Sequence, residues 1–495
     1  MTITTIPWAN DMPNATSDEA AKKDWAYWQN RINRASLVML VEQGILDSKT
    51  AKTIASAQVK AEAKQDDPSK PRIRDIMPLE KMLIEECGQL ATLIHTGRSR
   101  QDIFATLYQM RLRLQTLDFF GELLKLRSVM HRIATEHTRT YMPAYTNGVQ
   151  AMPITLGFYL WAFLESFERD SDRISEAYRR INRSALGSAV LANSGWPLSR
   201  ERLAELLGFD GPIVNALDSS QVSLFDIPIE ASNIASNVAV RITTLVQDLA
   251  QQYSQTRPWI LLESGAAYSS SAMPQKRNPG ILNKTRAKAG DVIGAATTVT
   301  LRAHNLPLGM YDNKGSATED DAAVLVHACT MLQLMTWAFG MLKVNKERAL
   351  EELENDWTCT MALAEKLQRV NQLPFRVGHN FASEIVTVAR REGYLPKTFP
   401  YDEAKRIFRS VCEKLEWSKD DLPLDEASFR AALTPSLVVE SRLGTGSPNP
   451  FTVESGLERI AQRLSLDEEW LATKRKQISK SIEDLDARFD ALLNL

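Results

Sequence analysis

Residues 102–139 read DIFATLYQMRLRLQTLDFFGELLKLRSVMHRIATEHTR, a run with one glycine and no proline. Ile103, Leu107, Met110, Leu114 and Leu117 step by four, three, four and three, the spacing that lines one seam of a helix. The run predicts one continuous helix of about 55 Å, at 1.5 Å rise per residue. Four further stretches, 154–186, 229–256, 280–303 and 318–352, are similarly poor in Gly and Pro. Rods of this length bury their apolar stripes only by packing side by side. The expected fold is all-α, with a long central five-helix bundle shared between subunits.

Composition agrees. The 495 residues carry 59 Lys plus Arg against 61 Asp plus Glu, a net charge of -2, so no basic surplus marks a nucleic-acid or membrane-surface partner. With 44% hydrophobic and 24% charged residues, the chain reads as globular rather than disordered. Gly (22) and Pro (21) are sparse for a turn-rich β protein. Cys87, Cys329, Cys359 and Cys412 are far apart, without the paired spacing of zinc or thiol-exchange motifs, and the N-terminus lacks a secretory pattern. A cytoplasmic setting is expected. Leu325 to Val344 is apolar enough to raise a membrane question, but His327, Gln333 and Thr336 interrupt it, and a buried bundle helix is the expected reading.

Outside the long rods the pattern shortens. Residues 29–66 suggest two helices broken at Gly44 and Asp47, and 65–72 a polar loop. Beyond Asp356, breaks recur at Leu373-Pro374, Gly393 to Pro400 and 443–451. The expected domains are 1–97, 98–355 and 356–495.

Three loops each precede a long helix. In His95-Thr-Gly-Arg-Ser-Arg-Gln-Asp102, Arg98, Arg100 and the Ser99 hydroxyl suit a carboxylate or phosphate at a helix start. Equally, Ser99 with Asp102 three residues on resembles a capping box. Tyr145 to Pro153 contains Asn147-Gly148, a strong turn pair, beside Thr146, ahead of a helix expected from Ile154. Glu263 to Gly280 packs three hydroxyls (Ser269, Ser270, Ser271), Lys276 and Arg277 into one loop, with Asn278-Pro279 expected as N-cap and first-turn proline. Hydroxyls, a lysine and a helix start suit an anion; a Ser-rich linker is the alternative. No GxxxxGK[ST], GxGxxG or HExxH occurs, and the six histidines fall at no metal-ligand spacing. No metal or cofactor is expected.

At Ser269 to Pro279, SSSAMPQKRNP, the sequence closely resembles the signature of the aspartase/fumarase superfamily. HTGRSRQD (95–102) and MPAYTNGVQAMPITLG (142–157) resemble its other two motifs, in the same order. Residues 374–379 and 436–448 are similar to the argininosuccinate lyase branch. The resemblance implies a three-domain all-α subunit and a homotetramer in which each site draws on three chains. It also implies release of fumarate without metal or organic cofactor. Ser270 is the implied base that removes the C3 proton, and Lys276 the implied electrostatic partner, because the doubly negative species formed needs preorganised positive charge and donors. Ser99, Arg100, Gln101, Thr146, Asn147, Ser271, Asn278 and Tyr311 are the implied substrate-binding residues.

The chain also departs from that pattern. A His-Glu relay of the family is replaced by Asn147 and Asn283, an upstream His by Met77, and the glycine before the paired serines by Ser269. The amine-side segment is Tyr311 to Asp321, with Thr318 and Asp321 in place of Gln and Lys. The fumarate side is kept and the amine side is rebuilt. The expectation is a carbon-nitrogen lyase that forms fumarate from an N-substituted aspartate other than argininosuccinate, as ethylenediamine-disuccinate lyases of this branch do. A true argininosuccinate lyase and a catalytically silent relative are the alternatives.

Overall fold

The computed structural model describes residues 24–494, except 68, 70–72, 74, 419 and 420, and only the backbone for residues 311–322. Helices dominate. The N-terminal part comprises α1 (Trp25–Glu42), α2 (Ser48–Gln65), α3 (Ile76–Cys87) and a 3-10 segment, Gly88–His95. Asp24, Asp47 and Asp75 each cap the following helix by accepting an amide N–H, which satisfies donors a helix start leaves open.

The long rods follow as α4 (Arg100–Glu136), α5 (Leu156–Ile181), α7 (Ser223–Tyr253), α8 (Gly280–Ala303) and α9 (Tyr311–Gly340), with a short α6 (Arg200–Leu206) between α5 and α7. Their directions can be read from contacts at their ends. At the lower end, where α4 begins, Gln221 just before α7 donates to Gln101 Oε1 (2.9 Å). At the upper end, where α4 stops, Gln252 of α7 donates to Tyr145 (2.9 Å). Thus α4 and α7 run upward together. Helix α5 turns back beside the end of α4, where a Cβ on Gly157 would lie 2.7 Å from the Ala134 carbonyl oxygen; only glycine allows this close crossing. Strands β3 (Ile260–Leu262) and β6 (Leu342–Val344) pair antiparallel, which ties the chain before α8 to the end of α9 at the upper end.

Strands appear where the sequence predicted only loop and helix. β1 (Tyr141–Thr146) and β2 (Val149–Thr155) form a hairpin, so α5 starts at Leu156, not Ile154. The stretch 318–352 is likewise not one rod: α9 ends at Gly340, and β6 separates it from α10 (Lys346–Glu354). Both corrections have one physical source, since short strands depend on partners distant in sequence. The apolar stretch within α9, Ala323–Gly340, is long and apolar enough to cross a membrane, and it packs into the bundle core through Val324, Leu325, Leu332 and Met335.

Helices α11 (Thr360–Asn371), α12 (Phe375–Glu392), α13 (Tyr401–Lys414), α14 (Glu426–Ala432) and α15 (Pro435–Glu440) enclose a separate core around Phe381, Phe399 and Phe408. The final α16 (Pro450–Leu493) descends the whole molecule. His131 lies 2.9 Å from the Leu457 carbonyl, buried Arg127 pairs with Asp467 (2.5 Å), and Asp486 meets Arg31 and Arg34. Its lower end joins the core of α1 and α2, and its upper end joins that of the bundle. Helix α4 is shared in the same way.

Candidate active site

The first loop sits at the lower end. Ser99 is the N-cap of α4: its hydroxyl accepts from Gln101 N (3.2 Å), and Asp102 accepts from Ser99 N (2.8 Å). The capping box is therefore present, and it settles how the hydroxyl is oriented. The two arginines separate. Arg98 turns inward to Ser36 Oγ (2.9 Å) and Asn33 Oδ1 (2.8 Å), and desolvation lowers its pKa to about 10. It serves the packing of α1, which corrects its reading as an anion ligand. Arg100 is exposed, 3.3 Å from Asp75, and remains available. Gly97, at φ +69°, carries no side chain because a Cβ would collide with Leu198.

Asp102 does more than cap. Its second oxygen accepts from Gly187 N (2.9 Å) and Ala189 N (3.1 Å), joining the loop after α5 to the start of α4. Burial raises its pKa to about 6, while the three amides and Arg98 pull it the other way. Sequence spacing marked the cap. The second pair of bonds spans 85 and 87 residues and has no local signal.

The second loop is the hairpin tip at the upper end. Asn147 (φ +52°) and Gly148 (φ +77°) are both left-handed, as a two-residue hairpin turn requires. Thr146 and Asn147 are exposed. Ser99 caps the first residue of α4, and Thr146 lies ten residues past the last. With 37 residues in that helix, at 1.5 Å each, the two groups stand about 55 Å apart along its axis. One chain cannot bring them to one substrate.

The third loop is also at the upper end. β4 (Tyr268–Ser269) pairs with β5 (Arg277–Asn278), and the segment between them forms the tip. Ser270 N donates to the Lys276 carbonyl (3.3 Å), and the Ser270 hydroxyl accepts from Ala272 N (3.3 Å) and Met273 N (3.1 Å). Two amides aimed at one hydroxyl oxygen favour its anion, the form in which serine acts as a base. Ser271 and Lys276 are exposed on the same tip. Asn278 is not the N-cap expected: it lies in β5, its amide donates to the Tyr268 carbonyl (3.3 Å), and Pro279 takes the cap position. Asn283 is exposed in the first turn of α8, and Met77 is exposed on α3. The side chains of Tyr311, Thr318 and Asp321 lie outside the described residues.

A family model described as "Lyase" matches residues 30–294. An argininosuccinate lyase of Methanosarcina acetivorans is 30% identical over 466 residues, covering 94% of this chain and 91% of the relative. One from Methanococcus maripaludis is 31% identical over 459 residues, covering 91% and 92%. Among solved structures, an EDDS lyase in complex with formate superposes with a TM-score of 0.84 at 26% identity, over 98% of both chains. A variant of an EDDS lyase with bound fumarate matches to the same degree. A class II fumarase from Schistosoma mansoni, at 18% identity and a TM-score of 0.64, shares the fold.

Proposed function

Because the chain belongs to the aspartase/fumarase superfamily, in its argininosuccinate lyase-like branch, we propose that the Ser270 loop is the proton-abstracting centre of its reaction. The protein is a carbon-nitrogen lyase that forms fumarate from an N-substituted aspartate. The single observation that supports Ser270 is its hydroxyl oxygen, which accepts two backbone amides at 3.1 and 3.3 Å on a tip that also carries Lys276.

In this mechanism the Ser270 alkoxide takes the C3 proton. The electron pair moves into the adjacent carboxylate, giving a doubly negative aci-carboxylate. Lys276 and loop amides stabilise that charge where it develops. The pair then returns to form the C2–C3 double bond, the C2–N bond breaks, and the nitrogen leaves with its electrons to be protonated as the free amine. Fumarate remains. Thr146, Asn278, Ser99 and Arg100 orient the two carboxylates, with Gln101, Asn147, Ser271 and Tyr311 completing the pocket.

The separation of about 55 Å between Ser99 and Thr146 along α4 supports a homotetramer with sites built from several chains. Four free cysteines agree with a cytoplasmic setting. The amine is one other than that of argininosuccinate. Asn147 and Asn283 support this reading, since both are exposed amides where the branch carries a titrating pair. The test is a screen of fumarate with a panel of amines, followed by loss of fumarate absorbance. Adducts should form with non-guanidine amines and fail with Ser270→Ala. Robust cleavage of argininosuccinate by the wild type would instead establish a genuine argininosuccinate lyase.

A further inference from the structure

Gln221 joins two segments that meet at the lower end of the bundle. It lies in Asp218–Val222, wound as a π-type turn in which Ser223 N donates to the Asp218 carbonyl five residues back. Such wide turns are rare and frequent at functional sites. In this one three consecutive polar side chains, Ser219, Ser220 and Gln221, are buried, at 0, 0 and 1% exposure. Buried polar groups need partners, and here the partners form a chain with a single direction. The Ser220 hydroxyl donates to the Ala216 carbonyl (3.1 Å), a group that can only accept. With its one proton used there, the Ser220 oxygen acts as acceptor toward Gln221 Nε2, 3.5 Å away. The same Nε2 donates to Gln101 Oε1 (2.9 Å). The carbonyl of Gln101 is thereby engaged, while its Nε2 makes no hydrogen bond among the described residues. Gln101 is half-buried and follows exposed Arg100 in the first turn of α4, where the aligned backbone amides favour an anion.

We propose that Gln221 is a positioning residue for substrate binding: it holds the Gln101 amide so that Nε2, rather than Oε1, faces a substrate carboxylate. A carboxylate only accepts hydrogen bonds, so an amide turned one way attracts it and turned the other way repels it. Left to itself the Gln101 side chain presents either atom, because its last torsion is broad and roughly two-fold. The chain running from the Ala216 carbonyl through Ser220 and Gln221 removes one of the two orientations. Arg100 needs no such partner, since every nitrogen of a guanidinium carries a donor. The contact spans 120 residues, so nothing local in the sequence singles out Gln221. The proposal rests on the assignment of Gln101 to substrate binding in a fumarate-forming lyase.

The test is titration calorimetry of the full-length protein with fumarate, so that the identity of the amine does not enter. The wild type should bind fumarate, and Gln101→Leu should weaken it at least about ten-fold, as loss of a hydrogen bond to a charged group does. Gln221→Leu keeps the volume but removes the donor, and should weaken fumarate several-fold; Gln221→Met is a second donor-free variant should the first lower the melting temperature. Ser220→Ala frees the Gln221 amide to turn and should act in the same direction, though less. Each change is then repeated together with Gln101→Leu, where no amide remains to be oriented. Gln221→Leu and Ser220→Ala should have no further effect there. A role confined to folding of the turn would instead weaken fumarate equally in both backgrounds. Such equal losses, undiminished binding by Gln221→Leu, or undiminished binding by Gln101→Leu overturns the proposal and leaves the lyase assignment standing. A wild type that does not bind fumarate at all overturns both.

Discussion

Mixing two inactive variants tests the sharing of sites between chains. Ser99→Asp keeps an N-cap, since aspartate caps as well as serine, but puts a negative charge where a substrate carboxylate is proposed to bind. Thr146→Glu does the same at an exposed hairpin tip, where no packing opposes it. Like charges brought together cost several kcal/mol, so each parent should lose about 100-fold or more in kcat/KM. The 37 residues of α4 put the two positions about 55 Å apart in one chain, so any working site takes them from different chains. In randomly reassembled hybrids at equal ratio, a site receives native Ser99 half the time and native Thr146 half the time. About a quarter of wild-type activity should return. The assay is fumarate release after co-refolding of the two variants, with singly refolded parents as controls. Hybrids shown by tag pull-down to contain both chains, yet no more active than their parents, would refute the reasoning.

Other outcomes follow from the same geometry. Ser270→Ala should lower turnover by about 10² to 10⁴-fold, the usual effect of removing a general base, and abolish C3 deuterium exchange, whereas Ser271→Ala should act mainly on KM; near-normal exchange by Ser270→Ala sinks the base assignment. With Asn147 and Asn283 in place of a titrating pair, the rate profile should lack an acid limb near the histidine reference of about 6.5, and Asn147→His with Asn283→Glu should be non-additive and introduce that limb. Asp102 has its pKa raised from 3.8 to about 6 by burial, so between those values the folded chain holds a proton the unfolded chain has lost, and its contribution to stability falls as pH rises through that window. Denaturation of wild type against Asp102→Asn at pH 4 and pH 6.5 should show the wild-type advantage shrinking by about 2 kcal/mol, and a constant difference would contradict the buried, protonatable carboxylate.

Much of the fold is written in local pattern. The seam from Ile103 to Leu117 repeats at helical spacing, and α4 forms across it; the proline-free stretch 280–303 matches α8 residue for residue, Gly280, Gly290 and Gly294 included. The cap at Ser99 and the turn at Asn147-Gly148 are equally local, since each satisfies backbone groups only a few residues away. The hairpin strands and the pair β4 and β5 were not legible, because a short strand has no stability of its own and waits for a partner. Asn278 illustrates the consequence: its sequence suits an N-cap, but pairing across to Tyr268 claims it first.

What the sequence determined alone was therefore the existence of the rods and the three polar loops, together with the family they resemble, since these depend on the chemistry of neighbours along the chain. Tertiary structure decided which of those polar groups are free. It turned Arg98 inward to Asn33 and Ser36 while leaving Arg100 outside, made Asp102 a clasp for residues 187 and 189, and aimed two amides at Ser270. It also set Ser99 and Thr146 at opposite ends of one rigid helix. Burial and hydrogen-bond partners come from segments tens to hundreds of residues apart, and only packing brings those together.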